Sequence, residues 1–459
     1  MKVSTLRLAV LAGLFSSGAA LAAPPTAAQE IAALKAELAR QREIAAQQQA
    51  RLEALESKLN ATVDVQRAVA ENDAKEKAAD KKKLETSGKL GEGLTVNYGK
   101  DQIKLYGLID LTVRNTSNAN AKGQGVTDIT TGYFSGSRWG LIGNHNLGWD
   151  DGSTNVIYKL ESEYDMRNGA LDAANVLFNR DAWIGLESNT VGRVTFGRQN
   201  TLGRDFAEVY GIPFAKPEVD VTEGGWTNTN NAKNGIFYLG SATGTRYDGG
   251  IVWKKKMGDF VAGAAYQFNS PGGAPSVAVP GDFSNNTSEA AALAYNGSNY
   301  TLVGEYNESK VNNFDQNTFT IGGNVRFGGF RLNAGYYRFE AEQAVVGKRT
   351  DDNYTVSGSF NPQDSKFVYY LSWEGAKAHN AGVNSSGFVL RPYASTAAVK
   401  KAINGDRDAY QAVIMYKADK RTDLYIVSDY MKTSGGYYDS AANGFRSVLE
   451  LCIGMRLRF

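Results

Sequence analysis

Two hydrophobic periods divide the chain. Over residues 29–72 the repeat is seven: one series runs Ile31, Leu38, Ala45, Leu52, Leu59, Gln66, the other Leu34, Gln41, Gln48, Leu55, Thr62, Val69. The segment is rich in Ala, Gln, Glu, Lys and Arg and has no Gly or Pro, so it predicts helix, and sustained heptads predict a coiled coil. Its layers at Gln41, Ala45 and Gln48 are weak, although buried glutamines can pair across a bundle and set register. A single solvated helix or an unstructured linker is the alternative. From residue 101 the period becomes two. Ile103, Leu105, Ile109, Leu111 and Val113 alternate with Lys104, Tyr106, Asp110, Thr112 and Arg114, giving one apolar and one polar face. In a soluble sandwich the apolar face packs inward; in a membrane barrel it meets lipid and the polar face lines water.

Strand patterns recur to the end, at 101–115, 130–147, 154–166, 176–187, 192–199, 244–256, 259–270, 287–296, 299–310, 316–326, 330–341, 351–360, 366–376, 408–418, 421–432 and 445–459. About sixteen strands, an even number, predict an all-β transmembrane barrel of antiparallel strands over 101–459, wide enough for an aqueous channel. Tight connections such as Gly328-Gly329 alternate with long ones such as 377–407, and the long ones are expected outside the cell. In the last strand Leu451, Ile453, Met455, Leu457 and Phe459 share one face, and Cys452, Gly454, Arg456 and Arg458 the other.

The N-terminus adds an address. Lys2 and Arg7, the apolar run 8–15 and Ala20-Leu21-Ala22 predict a cleaved signal peptide over 1–22. Beyond residue 25 no run of 18 apolar residues offers a spanning helix. Residues 73–100 read as a linker, basic at Lys75, Lys77, Lys81, Lys82 and Lys83 and then punctuated by Gly88, Gly91 and Gly93. Contact with the anionic cell wall is one reading of the lysines, a solvated linker the other.

Composition narrows the chemistry. The chain is 42% hydrophobic and has 50 glycines against 9 prolines, which suits strands and turns. Residues 1–100 carry 15 Lys+Arg and 12 Asp+Glu, leaving 35 and 36 for 101–459, so ion preference in the barrel must come from where charges sit. No dense basic block lies there to bind nucleic acid. Cys452 is alone, which excludes an internal disulfide. His145 and His379 are the two histidines and neither has a placed nucleophile or carboxylate, so no enzyme, metal site or cofactor is expected.

Six stretches carry a family likeness: Lys104-Leu-Tyr-Gly-Leu-Ile-Asp110, Ser135-Gly-Ser-Arg-Trp-Gly-Leu141, Leu177-Phe-Asn-Arg-Asp-Ala-Trp-Ile-Gly-Leu186, Val194-Thr-Phe-Gly-Arg-Gln199, Asp419-Lys-Arg-Thr-Asp-Leu-Tyr425 and the ending Gly454 to Phe459. In this order they resemble the general diffusion porins of Gram-negative bacteria, in particular the neisserial and betaproteobacterial branch. The resemblance implies an outer-membrane homotrimer of 16-stranded barrels, passing ions and small hydrophilic solutes, with a long third loop folded into the lumen. It also implies contact with outer-membrane lipid and lipopolysaccharide, and Phe459 as a signal read by the barrel-assembly machinery. The coiled coil departs from the compact members and resembles porins with periplasmic coiled-coil extensions.

The third-loop candidate, 201–243, holds Asp205, Glu208, Glu218, Asp220 and Glu223 against Arg204, Lys216 and Lys233. The family pattern implies a facing basic wall, with Arg138, Arg180 and Arg198 at motif positions and Arg246 a looser match. Such facing charges create a transverse field in a narrow pore. Structural guanidinium groups bonded to loop backbone are the alternative for Arg138 and Arg180, and Arg198 needs a bulge near Gly197 to share the lumen face. Lys159 should face water. Trp139, Trp183 and Phe459 are either solute-stacking platforms or interface anchors. The function expected is passive diffusion through a charged constriction, with an anion- or dicarboxylate-preferring pore or an envelope tether as alternatives.

Overall fold

The computed structural model describes residues 27–80, 85–87, 93–212, 214–225, 235–268, 283–393 and 399–459; the expected signal peptide, Lys233 and the lysines at 81–83 lie outside them. It contains two units, Met1–Lys82 and Lys83–Phe459. In the first, helix α1 spans Ala27–Asp80. It passes the expected end at 72 because nothing in 73–80 breaks a helix: the next glycine is Gly88. Its heptad residues stay exposed in the single chain, Leu34 at 69% and Leu59 at 63%.

The second unit is a closed ring. Its strands are β1 (Asp101–Thr116), β2 in two pieces (Val126–Thr131 and Arg138–Asn146), β3 (Asn155–Glu163), β4 (Asp181–Ser188), β5 (Gly192–Asn200), β6 (Arg246–Met257), β7 (Phe260–Gln267) and β8 (Ser288–Asn296). Then come β9 (Tyr300–Val311), β10 (Phe314–Phe327), β11 (Phe330–Ala341), β12 (Arg349–Phe360), β13 (Phe367–Gly382), β14 (Ala402–Lys417), β15 (Thr422–Thr433) and β16 (Ser447–Arg458). Each pairs antiparallel with its successor. β16 closes on β1, from Glu450 opposite Thr116 to Arg458 opposite Leu108. A short strand, Leu94–Tyr98, turns back onto β1 at 101–105, covering the stretch of its edge that β16 leaves bare.

All sixteen expected strands are present, with three shifts. The second is broken: both pieces lie on β1, at 111–116 and 102–108, while 132–137 between them leaves the sheet and is buried. Glycines allow that crossing, since a Cβ at Gly132 would stand 2.0 Å from Asp110 Cγ and one at Gly136 1.7 Å from Glu163 Oε1. The fourth strand starts at Asp181 and not at 176. β13 and β14 extend to Gly382 and back to Ala402, so the loop expected at 377–407 shrinks to 383–401.

Alternation sorts the faces. Leu293, Leu302, Ile321, Val356 and Ile453 are exposed on the outside, while their sequence neighbours are buried or polar within. Phe330 stacks between Phe327 and Phe360 beside the tight 328–329 turn, with centroids 5.6 and 4.2 Å apart, as an interfacial aromatic girdle requires. The third long connection, between β5 and β6, packs its two short helices, α2 (Leu202–Phe206) and α3 (Glu208–Gly211), against the inner wall of the barrel.

Candidate functional site

The loop is seated on one side of the lumen by small residues. Ala290, Ala292 and Ala294 of β8 present methyl groups inward, and Leu202, Phe206, Val209 and Tyr210 pack there with Val252, Val261 and Val303. Tyr210 lies over Gly322 and Gly335, where an added Cβ would come within 2.5 and 2.2 Å of its ring, and its hydroxyl reaches Thr320 Oγ1 at 2.9 Å. This buried apolar face is what holds a loop of polar composition inside a water-filled barrel.

The free edge of the loop is clipped by two lysines. Lys254 of β6 donates to Asp205 Oδ2 at 2.7 Å and to the Thr222 carbonyl at 2.9 Å. Lys159 of β3 pairs with Glu223 Oε2 at 2.5 Å and Asp181 at 2.8 Å, with Glu161 at 3.7 Å. Trp183 Nε1 donates to Glu223 Oε1 at 3.0 Å, so this tryptophan faces the lumen and is no interface anchor. Burial pushes the Glu223 carboxyl up, but Lys159 and a hydrogen bond with Asp181 together outweigh it and hold Glu223 below the usual carboxylate range.

The expected acids therefore divide. Asp205 and Glu223 reach the wall, Asp220 closes on Lys216 within the loop at 3.0 Å, and Glu208 turns under the loop to accept from Gly225 N–H, 3.8 Å from Lys216. The arginines divide too. Arg138 lines the cavity: its Nε donates to the Gly136 carbonyl at 3.0 Å and its Nη1 lies 3.5 Å from Glu161. Arg180 is buried between Glu161 and Glu163. Burial pushes the Arg204 pKa down, and the nearby guanidinium groups of Arg246 and Arg180 push it further. The register of β5 against β6 slips between Gly197 and Gln199, yet Arg198 bonds Asp248 and the Asn179 carbonyl and does not line the cavity.

The result is a ladder of opposite charges between loop and wall, not two separated walls of one sign each. The reason is reach: Lys159 and Lys254 are long enough to meet the loop acids directly. Between the loop edge and β1–β5 with β16 remains a cavity of about 550 Å³, lined by Lys104, Tyr106, Arg138, Lys159, Glu161, Arg193, Glu223, Arg456 and Arg458 among others. Lys254, Arg193 and the seam arginines lay beyond sequence reasoning about the site. Arg456 and Arg458 were legible as the polar face of the last strand, while Lys254 sits in a run of three lysines that alternation alone does not rank.

Comparison with known proteins agrees with this architecture. The sequence pattern of the Gram-negative porin family matches residues 58–436. An outer membrane porin protein of Bordetella pertussis is 34% identical over 116 residues, 23% of this chain and 29% of that relative, so the match spans under a third of its length. The fold is similar to an anion-selective porin from Comamonas acidovorans, with TM-score 0.57 and 18% identity over 78% of this chain and 100% of that one. It is also similar to the outer membrane protein OmpT of Vibrio cholerae, with TM-score 0.53 and 15% identity over 80% of this chain and 100% of that one.

Proposed function

Because the chain belongs to the Gram-negative porin family, we propose that it forms a water-filled outer-membrane channel through which ions and small hydrophilic solutes diffuse, with its constriction between the third loop and the wall of β1–β5. The observation that carries this is the asymmetric seat of the loop: sealed by apolar packing on one side, it leaves the charged 550 Å³ cavity on the other. Family and fold point to a channel and not to an enzyme. Reconstitution into planar bilayers tests the reading. Stepwise ohmic conductance is expected, and a folded protein that inserts without conducting would end it.

The assembly is read as a homotrimer. The apolar heptad positions of α1 have no partner within the described chain, and a coiled coil in the periplasm between copies would bury them. Deleting 29–72 should lower the melting temperature of a heat-modifiable trimer; an unchanged profile would remove the helix from assembly. Phe459 fits an assembly signal: its backbone exchanges hydrogen bonds with Gly107 at 2.8 and 3.0 Å, and its ring covers the space where a Gly107 Cβ would stand. The apolar outer band would meet outer-membrane lipid and lipopolysaccharide.

A further inference from the structure

Phe214 of the third loop packs against two apolar clusters at once. One is the seat on β6–β9 described above; the other lies at the seam where β16 meets β1 and holds Tyr133, Phe134, Tyr370, Tyr425 and Cys452. The Phe214 ring meets Phe134 edge-to-face at 4.9 Å and Tyr370 of β13 at 5.4 Å. Phe134 in turn meets Tyr425 of β15 edge-to-face at 4.7 Å and lies 5.3 Å from the Arg456 guanidinium of β16. The loop is therefore gripped, away from its seat, by the stretch 132–137 that leaves the sheet between the two pieces of β2.

That stretch is itself tied across the seam. Outside the ladder its N–H groups need other partners, and β1 supplies them. Tyr133 N donates to Thr112 Oγ1 at 2.9 Å, and Ser135 N to Asp110 Oδ2 at 2.9 Å. Tyr133 Oη donates to Asp429 Oδ2 of β15 at 2.9 Å. Tyr425 of β15 reaches the opposite way. It lies across Gly454 of β16, where an added Cβ would stand 2.2 Å from its ring, and its hydroxyl donates to Asp110 Oδ1 at 2.5 Å, 2.6 Å from Thr112 Oγ1. Arg456, held by Asp423 Oδ2 at 3.0 Å, extends Nη1 to Ser135 Oγ at 3.3 Å. Ser135 also lines the charged cavity, so the stretch borders the passage.

We propose that residues 133–135 are a clasp for the third loop, with Phe134 and Phe214 as positioning residues that fix the width of the passage, a reading that rests on the channel proposed above. The seat holds the loop by one flank. The clasp holds it again on the other side of the lumen, so the cavity between loop and wall cannot widen by a swing of the loop about its seat. Because β1, β15 and β16 all support the clasp, it is complete only once the ring has closed. The constriction therefore takes its final width after closure.

The full-length protein in planar bilayers tests this, with polyethylene glycols of graded mass added to find the largest that enters the pore. Phe214→Ala lies on the loop and outside the sheet, so the ring forms whatever the clasp does. It should raise the conductance and shift the exclusion limit to larger polymers, whereas Phe214→Tyr, which keeps the ring, should retain the wild-type limit. Phe134→Ala should shift the limit the same way. The double variant should shift it no further than the larger single change, because either truncation opens the same contact. A wild-type exclusion limit in Phe214→Ala overturns the clasp, whether or not Phe134→Ala folds, and additive shifts overturn the pairing of the two rings. A wild type that does not conduct overturns the channel reading instead.

Discussion

The two walls of the lumen share one backbone pattern and differ in what their inward positions carry. On β8 those positions are Ser288, Ala290, Ala292 and Ala294, and on β10 and β11 they include Gly322 and Gly335. On β3 they are Lys159, Glu161 and Glu163. The first wall has room for side chains and nothing to repel them, so the third loop sinks its apolar face there. The second cannot be desolvated cheaply, because burying its charges requires a partner for each. It stays open and meets the loop edge at Glu223, through Lys159 and Trp183. Period two therefore makes the barrel, and the size and charge of alternate residues decide which side becomes a seat and which a pore.

Unseating the loop should have the largest effect. Phe206 is fully buried against the wall near Gly263, and Phe206→Ala should cost about 3–5 kcal/mol of local packing. Larger, noisier channels and a lower melting temperature are expected; wild-type conductance would show that the apolar seat does not hold the loop. Lys159→Gln attacks the other wall. It leaves Glu223, Asp181 and Glu161 without their shared cation, at a cost of about 3 kcal/mol where the pair is desolvated. The reversal potential should move toward cations and the loop edge should loosen, and neither change would be seen if the ladder were incidental.

A smaller effect depends on pH. Burial pushes the Glu208 carboxyl up to about 8, against Lys216 and the Gly225 N–H, which favour its charged form, while Asp205 and Asp220 oppose it and Arg331 faces it. Its folded pKa lies above the usual 4.5, so the folded state favours the protonated form. That stabilisation is complete below the usual value and is lost as pH rises through the raised one. Open-channel noise should grow as pH rises from about 4.5 to about 8 and level off above that, and Glu208→Gln should flatten the rise. Noise with the same pH dependence in the variant would assign it to another group.

Much of this was legible because a barrel writes its period into every strand. The sixteen strands followed from alternation, and Gly197 marked the register slip that the last turn of β5 needs. Trp183 was legible in principle, since Ile184 and Leu186 beside it face lipid. What the sequence did not carry is non-local. Nothing near Lys254 announces Asp205 across 49 residues, and Asp423 meets Arg456 and Arg458 only through strand register. The break in β2 was hidden because the buried residues 132–137 continue an aromatic and small-residue pattern compatible with strand.

The central claim is that the charged wall, with its excess of lining cations, governs what passes. Arg138 tests it with the least disturbance, because it lines the cavity, bonds the Gly136 carbonyl at 3.0 Å and meets Glu161 only at 3.5 Å. The measurement is the reversal potential in an about tenfold KCl gradient for the wild type and for Arg138→Gln, with folded yield recorded for both. The account predicts that the wild type favours chloride and that the variant shifts toward potassium at similar yield. A wild type that favours potassium, or a variant whose reversal potential does not move, would contradict it.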